Sequence, residues 1–408
     1  MILDIKIMWF IQKIIYRLWH YALWAVTRIL PFPNPELIKG AGSIAKLAAK
    51  IKTKNSKVLI VTDKSLMSLG LLNGLFDSLT AQKIEYIVFD EVQPNPSIEN
   101  VEAGVVVYKQ HQCDGIIAFG GGSPIDCAKI IGARITNSFL SIRHMAGLFR
   151  VRFKLPPLYC VPTTAGTGTE TTIVSVISDK QAHKKLIITD ISLTPIIAVL
   201  DPELMIGLPP HITAATGVDA LTHSIEAYIG IIGTQYTNQC AEDATRLIFQ
   251  NLEKAYNNGK NITARDNMAM ASFYAGSAFT RAYVGYVHAI AHNMGALYNV
   301  PHGLANAIIL PHILEFCRDA VEPKLARLCV IAELGDASES DTVLCDKFIE
   351  GIKQLNERMN IATVIPEIKE ADIPEIIDRV MKESHPGYPI PKFMDRKQCE
   401  VILRNLMP

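Results

Sequence analysis

Two stretches in the second half of the sequence carry residues able to hold a metal ion. In Gly217-Val218-Asp219-Ala220-Leu221-Thr222-His223 the aspartate and histidine stand four positions apart, so on a helix both side chains project from one face and can clasp one ion. In Val287-His288-Ala289-Ile290-Ala291-His292 and Pro301-His302, three of the chain's 11 histidines fall between positions 288 and 302 in otherwise apolar sequence. Neutral imidazoles in such surroundings are hard for solvent to satisfy, and a shared ion accounts for them. One carboxylate with three imidazoles suits Fe²⁺ or Zn²⁺, whereas Mg²⁺ and Ca²⁺ prefer oxygen ligands. Any one of these histidines alone reads more readily as a hydrogen-bonded core residue. The combined spacing reverses that preference, yet it does not bring the two stretches together in space.

A second chemistry, anion binding, is written in the first half. Gly120-Gly121-Gly122-Ser123-Pro124-Ile125-Asp126 follows a strand and leads into a helix through Cys127, Ala128 and Lys129. Glycines let the backbone approach a pyrophosphate, and free amides at the helix start favour the anion. Alone the run reads equally well as a turn without a ligand, and it is not the GxGxxG fingerprint. A second small-residue loop, Pro162-Thr163-Thr164-Ala165-Gly166-Thr167-Gly168-Thr169-Glu170, offers hydroxyls to phosphate, ribose or an amide, or to its own backbone. Asp63, closing another strand, is suited to accept hydrogen bonds from a ribose diol, with a helix N-cap as its competing role.

The elements that must position these groups fall into two kinds. Val58 to Thr62, Ile84 to Phe89 and Gly115 to Phe119 are short β-branched runs separated by amphipathic segments, the signature of parallel strands with covering helices. Such sheets bind ligands beyond the carboxyl ends of their strands, where Asp63 and the glycine loop stand. After Leu208-Pro209-Pro210 helical periodicity dominates. The expected organisation is an N-terminal extension over 1–29, an α/β domain over 30–207 entered through Pro31, Pro33 and Pro35, and an all-α domain over 208–408. At 408 residues the chain is long enough for two cores, and its 40 basic and 40 acidic residues, with no long basic stretch, argue against a nucleic-acid partner. The 8 cysteines are scattered without CxxC pairing, which points to reduced thiols and a cytoplasmic setting.

Residues 1–29 are apolar but fit neither a signal peptide nor a membrane span, because Asp4 comes early and Lys13 and Arg17 interrupt the run. On a helix Lys6, Lys13, Arg17, His20 and Arg28 fall on one side and apolar residues fill most of the rest. The expectation is an interfacial helix on the cytoplasmic face of a membrane, with Trp9 and Trp19 in the headgroup zone and the basic side toward anionic lipid. Its rival is a helix packed on a neighbouring subunit.

From about Pro33 onward the chain resembles the iron-containing alcohol dehydrogenase family, related in fold to dehydroquinate synthase. The resemblance rests on GGGSPIDCAK (120–129), VPTTAGTGTE (161–170), GVDALTHSIEAY (217–228) and HAIAHNMGALYNVPHGLANAIILPH (288–312). It implies an N-terminal dinucleotide-binding α/β domain plus an all-α C-terminal domain, with the ion in the cleft between them. It implies as metal ligands Asp219, His223, His288 and His302, with His292 near the substrate. It implies nucleotide contacts from Asp63, Asn95, Gly121, Gly122, Ser123, Asp126, Thr163, Thr164, Thr167 and Lys185, and from Asp63 a preference for NAD over NADP. Fe²⁺ is the implied ion, Zn²⁺ the alternative, and a homo-oligomer the implied state. Thr169 stands where serine is more usual and keeps the hydroxyl; residues 1–29 have no counterpart.

The resulting expectation is an NAD-dependent alcohol dehydrogenase acting on a small alcohol or aldehyde, in which a divalent cation stabilises the alkoxide and His292 moves the proton. His292 has a humbler competing role, a hydrogen bond that orients a ligand. Two rivals have their own signatures. A lyase or cyclase like dehydroquinate synthase uses bound NAD transiently and makes no net NADH; an inactive membrane-tethered scaffold turns nothing over.

Overall fold

A computed structural model describes the backbone of residues 2–182 and 184–408, and side chains from Ile7 onward apart from His183. It divides into two compact units, one of residues 32–210 with 257–280 and one of residues 1–31, 211–256 and 281–408.

The first unit is built on parallel strands. Glu36–Lys39 (β1), Lys57–Val61 (β2), Glu85–Phe89 (β3), Gly115–Gly120 (β4), Leu158–Pro162 (β6) and Ile197–Leu200 (β9) form, among the described residues, a six-stranded sheet in the order β1-β9-β6-β4-β2-β3. The expected runs at 58–62, 84–89 and 115–119 are β2, β3 and β4, each shifted by a residue or less at its ends. β4 is buried at every position and β2 at all but its first, as befits strands covered on both faces. Gly147–Leu148 (β5), Val174–Asp179 (β7) and Lys184–Thr189 (β8) make a second sheet in the order β5-β8-β7, with β7 and β8 antiparallel. The helices Ile44–Ile51 (α2), Lys64–Ser68 (α3), Asn73–Ala81 (α4), Ile98–Gln110 (α5), Gly122–Thr136 (α6) and Ile142–Met145 (α7) lie in this unit. Separate apolar cores fill the two faces of the main sheet: α2 and α4 with Leu47, Leu75 and Tyr159 on one, α5 and α6 with Val101, Ile131 and Cys160 on the other.

The unit of residues 1–31, 211–256 and 281–408 is helical. It holds Ile2–Ile29 (α1), Pro210–Ile229 (α8), Gln235–Asn257 (α9), Tyr286–Tyr298 (α11), His302–Ile331 (α12), Asp341–Arg358 (α13), Ile373–Ser384 (α14) and Arg396–Asn405 (α15). Ile262–Ala282 (α10), although in the helical half of the sequence, falls mostly in the sheet unit, where the Thr280 hydroxyl accepts the backbone N–H of Ile173 at 3.0 Å. All eight cysteines are buried free thiols.

α1 is a helix, as its periodicity demands, but its polarity is opposite to the expected one. Arg17 donates to the carbonyls of Ile390 and Pro391 at 2.6 and 2.5 Å, and the His20 ring meets the Pro386 carbonyl at 3.1 Å. The middle of the basic side is therefore seated on the chain's own C-terminal region, among His385 and Phe393, and the apolar side is turned outward. Carbonyls of the segment that follows α14 supply what a half-buried guanidinium requires, so the polar groups find partners inside. Arg28 keeps an exposed position, and Lys6 lies outside the residues whose side chains are described.

Candidate metal centre and cofactor loops

In the sheet unit the predicted anion-binding loops lie side by side. Gly120 ends β4 at φ +146, where a Cβ would stand 2.6 Å from Pro124 Cγ, so the chain turns directly into α6 with Gly121 as N-cap. An added Cβ on Gly121 would lie 3.3 Å from Thr164 Oγ1, and one on Gly122 3.0 Å from Thr167 Cγ2, so the glycine loop rests against the threonine loop without a side chain between them. The loops are also bonded: Thr163 N donates to the Gly120 carbonyl at 3.0 Å. Ser123 sits half-buried on the first turn of α6.

Asp126 fastens α6 to its surroundings. Its Oδ1 accepts the Thr169 hydroxyl at 2.7 Å and its Oδ2 the backbone N–H of Val176 at 2.9 Å. Burial pushes its carboxyl up, against the pull of the Lys129 charge. Lys129, 0 % exposed, donates to the carbonyls of Thr172 and Val174 at 2.8 and 2.9 Å and to the hydroxyls of Thr169 and Thr172 at 3.3 and 2.8 Å. A threonine at 169 thus keeps the hydroxyl that bridges Asp126 and Lys129. Asp63 takes its competing role as well: it is the N-cap of α3, its Oδ1 accepting Leu66 N at 3.0 Å. Asn95, in the left-handed region at φ 58, accepts from Lys185 Nζ at 2.8 Å, and the same ammonium donates to Ser178 at 2.9 Å.

In the helical unit the two histidine-bearing stretches come together. Asp219 on α8, His288 on α11 and His302 at the start of α12 present donor atoms that all lie within 4.8 Å of one another. Asp219 Oδ1 is 3.6 Å from His302 Nε2 and 4.0 Å from His288 Nε2. Gly303 makes the approach of α12 feasible, since a Cβ there would stand 2.4 Å from the carbonyl oxygen of Ala215 on α8. His223, one helical turn beyond Asp219, stacks on His288 with ring centroids 4.5 Å apart, but its nitrogens are not among the three converging donors.

The surroundings prepare His288 as a ligand. Glu226, one turn beyond Thr222 on the same helix, accepts from His288 Nδ1 at 2.6 Å through Oε2 and from Val287 N at 2.7 Å through Oε1. An Nδ1–H held in this way leaves the Nε2 lone pair directed at Asp219 and His302. Burial drives the His288 pKa well below that of an ordinary imidazole, and the neighbouring His223, His302 and His292 push it the same way, so the ring is neutral at pH 7. Burial also raises Glu226 to about 7, against backbone hydrogen bonds that pull it down. Asn306, 0 % exposed, directs one amide nitrogen at all three donors: 2.7 Å to Asp219 Oδ1, 3.3 Å to His288 Nε2 and 3.2 Å to His302 Nε2. An amide has two hydrogens for these three acceptors. A carboxylate and two imidazoles converging on one point suit a divalent cation such as Fe²⁺ or Zn²⁺.

His292 follows His288 by one turn. Its Nδ1 lies 2.6 Å from Glu383 Oε1, which also accepts the Tyr388 hydroxyl at 2.7 Å, and its ring stacks on His302 at 5.3 Å. Burial raises the Glu383 carboxyl, but the His292 charge and the hydrogen bonds from His292 and Tyr388 outweigh it and hold the group below its ordinary value. Sequence reasoning missed Glu226, Asn306, Glu383 and Lys129 as members of these clusters. Glu226 and Asn306 did carry a signal, being seven residues beyond Asp219 and four beyond His302 on the same helical faces. Glu383 had none, because it arrives from α14, 91 positions away from His292.

The same two halves appear in comparisons with known proteins. A family model described as iron-containing alcohol dehydrogenase matches residues 34–202, and the model of the Fe-containing alcohol dehydrogenase family's C-terminal part matches 213–407. The chain is 36% identical over 394 residues to a 1,3-propanediol dehydrogenase of Klebsiella pneumoniae, covering 96% of this chain and 99% of that one. It is 38% identical over 348 residues to alcohol dehydrogenase 4 of Schizosaccharomyces pombe, covering 85% of this chain and 81% of that one. A crystal structure of 1,3-propanediol oxidoreductase superposes with a TM-score of 0.89 at 35% identity, covering 93% of this chain and 100% of that one. The chain therefore belongs to the iron-containing alcohol dehydrogenase family, and is a metal-dependent alcohol dehydrogenase with that family's α/β and helical parts.

Proposed function

We propose that this enzyme transfers a hydride reversibly between a small alcohol and NAD⁺, giving the aldehyde or ketone, with iron held by Asp219, His223, His288 and His302. The observation that carries the metal assignment is the convergence of Asp219, His288 and His302 donor atoms within 4.8 Å in apolar helices. A divalent iron ion there supplies polarisation of the alcohol or carbonyl oxygen, and NAD supplies the hydride acceptor. NAD use is supported by a 35% identical relative over 345 residues, the NAD-dependent methanol dehydrogenase of Bacillus methanolicus.

In this reading the chain's residues divide the work by region, 30–207 binding the dinucleotide and 208–408 the ion. Amides of Gly121, Gly122 and Ser123 at the start of α6 bind the pyrophosphate. The hydroxyls of Thr163, Thr164 and Thr167, together with Asn95 and Lys185, orient the nucleotide, while Asp126 acts through the Thr169 hydroxyl. Asp63 accepts from the ribose diol in addition to capping α3, and disfavours a 2′-phosphate by charge. Glu226 holds the His288 tautomer. His292 passes the substrate proton onward, its Nδ1 anchored on Glu383. The enzyme works in the cytoplasm as a homo-oligomer, with residues 1–29 in peripheral contact with a membrane.

Anaerobic purification, elemental analysis and an alcohol panel read by NADH absorbance test the central claim. Iron-dependent NADH formation is expected. Folded protein that forms no NADH with iron or zinc supplied refutes it, and net turnover without NADH formation indicates a lyase.

A further inference from the structure

The outward side of α1 is apolar along its length. Phe10, Ile14, Leu18, Trp19, Tyr21 and Trp24 are exposed, Leu18 by 62 %. The polar groups at the middle of the helix are spent inward, Arg17 on the carbonyls of Ile390 and Pro391 and His20 on that of Pro386. Every charged residue between Ile7 and Ile29 is basic. Lys13 is half-buried one turn before Arg17, its ammonium 5.8 Å from the ring centroid of Trp9, and Arg28 stands exposed at the C-terminal end, 3.9 Å from that of Trp24 and donating to the carbonyls of Trp24 and Gly233 at 3.2 Å each.

A surface of this composition needs a cover, and its size and charge indicate which. No helix among the described residues is long and apolar enough to cross a membrane. At about 1.5 Å per residue the stretch from Ile7 to Ile29 runs about 35 Å, and a strip about 10 Å wide covers about 350 Å². A stable interface between two proteins takes about 800 Å² from each, so the strip falls well short of what a second copy needs. A bilayer surface requires no matched protein area. It accepts an apolar strip at the boundary of headgroups and acyl chains, places indole and phenol rings at headgroup level, and pairs basic side chains with lipid phosphate.

We propose that α1 lies flat on an anionic bilayer, its outward strip entering the acyl boundary and the exposed Arg28 meeting phosphate. Arg17 and His20 meanwhile clamp the helix to the segment around Pro386–Pro391. This rests on the peripheral attachment proposed above and names the face that makes it, the reverse of the face a simple reading of the basic residues selects. The clamp explains why the helix stays parallel to the surface: inserting it across the membrane would strip Arg17 of both carbonyl partners.

Sedimentation of the full-length enzyme with vesicles of phosphatidylethanolamine and phosphatidylglycerol tests this, using Ile14→Glu/Leu18→Glu as the variant and light scattering to follow assembly. Wild type is expected to pellet with vesicles and its tryptophan emission to shift to the blue. The variant should partition at least about tenfold more weakly, with unchanged alcohol-dependent NADH formation and unchanged assembly. Wild type remaining in the supernatant overturns the attachment itself. Vesicle binding that the variant retains overturns the assigned face. A variant that falls to a smaller assembly while wild type ignores vesicles means that a second copy covers the strip, and overturns the lipid assignment.

Discussion

Replacing Glu226 by glutamine is the most informative single change in the metal centre, because it is nearly isosteric and alters only donor and acceptor character. The carboxylate accepts two buried N–H groups, His288 Nδ1–H on Oε2 at 2.6 Å and Val287 N–H on Oε1 at 2.7 Å. Glutamine offers one acceptor and one donor to the same pair. If its oxygen faces Val287, its NH₂ confronts His288 Nδ1, and the ring must surrender that hydrogen and carry it on Nε2, where the ion would bind. If its oxygen faces His288, the Val287 amide is left against an NH₂, at a cost of about 1–3 kcal/mol. Either way the imidazole loses a charge-assisted partner that fixes its orientation. Loss of such a partner costs about 10- to 100-fold in metal affinity, which is about 1.4–2.7 kcal/mol. Chelator competition with Fe²⁺ or Zn²⁺ measures it, with thermal melting of the metal-free protein as the folding control. Affinity within about twofold of wild type, in a folded variant, would refute the claim that Glu226 sets the His288 tautomer.

Other perturbations probe the remaining parts. Lys129→Met removes a fully buried ammonium from two carbonyls and two hydroxyls; urea unfolding should show a loss of about 3 kcal/mol, and the loosened threonine loop should raise the KM for NAD more than it lowers kcat. His292→Ala should lower kcat by about 100-fold and flatten its pH dependence; wild-type rate and pH profile would end the proton-transfer assignment. His20 and His385 are both lowered to about 4, His20 by burial and then the Arg17 charge, His385 by burial and then His20. For a histidine neutral in the folded state and protonated more readily when released, the seat of α1 is fully stable above pH 6.5 and loses stability as pH falls from 6.5 through 4. Protease cleavage of α1 should therefore accelerate on acidification across that window, and rates flat from pH 7 to 4 would contradict it.

Short-range rules carried the sequence reading where partners lie close in the chain. Period and strand-end logic located β2, β3 and β4 and set Asp63 and the glycine loop at their carboxyl ends. A spacing of four put Asp219 and His223 on one face of α8, but no local rule joins them to His288 and His302: the family resemblance implied that set, and the structure shows how Asp219, His288 and His302 meet, where α12 crosses α8 at Gly303. Asp63 was legible in both its roles, and the helix N-cap is the role with a visible hydrogen bond. Lys129 was invisible because a lysine inside a helix ordinarily reads as surface, whereas here four oxygens from a neighbouring loop meet it. Glu383 was invisible for the related reason that its partner arrives from another helix.

α1 isolates what periodicity can and cannot decide. The spacing of Lys13, Arg17 and His20 specifies that charged and apolar residues lie on opposite sides, and the structure keeps that segregation. It does not specify which side faces the protein. That choice depends on what the packing partner offers, and the segment after α14 offers the carbonyls of Ile390 and Pro391, to which Arg17 donates. Burial lowers the Arg17 pKa, and two carbonyl acceptors and the Phe393 ring, its centroid 4.5 Å from the guanidinium carbon, offset that penalty. An apolar strip left outside is the cost, and it is removed only when something apolar covers it. Breaking the clamp should therefore act in two places at once. Arg17→Met is expected to expose α1 to protease in solution, through loss of both carbonyl bonds, while leaving the outward strip chemically intact. If lipid is the cover, vesicles should slow that cleavage for wild type and variant alike. If vesicles protect neither protein, lipid is not what covers the strip, and the clamp alone holds the helix.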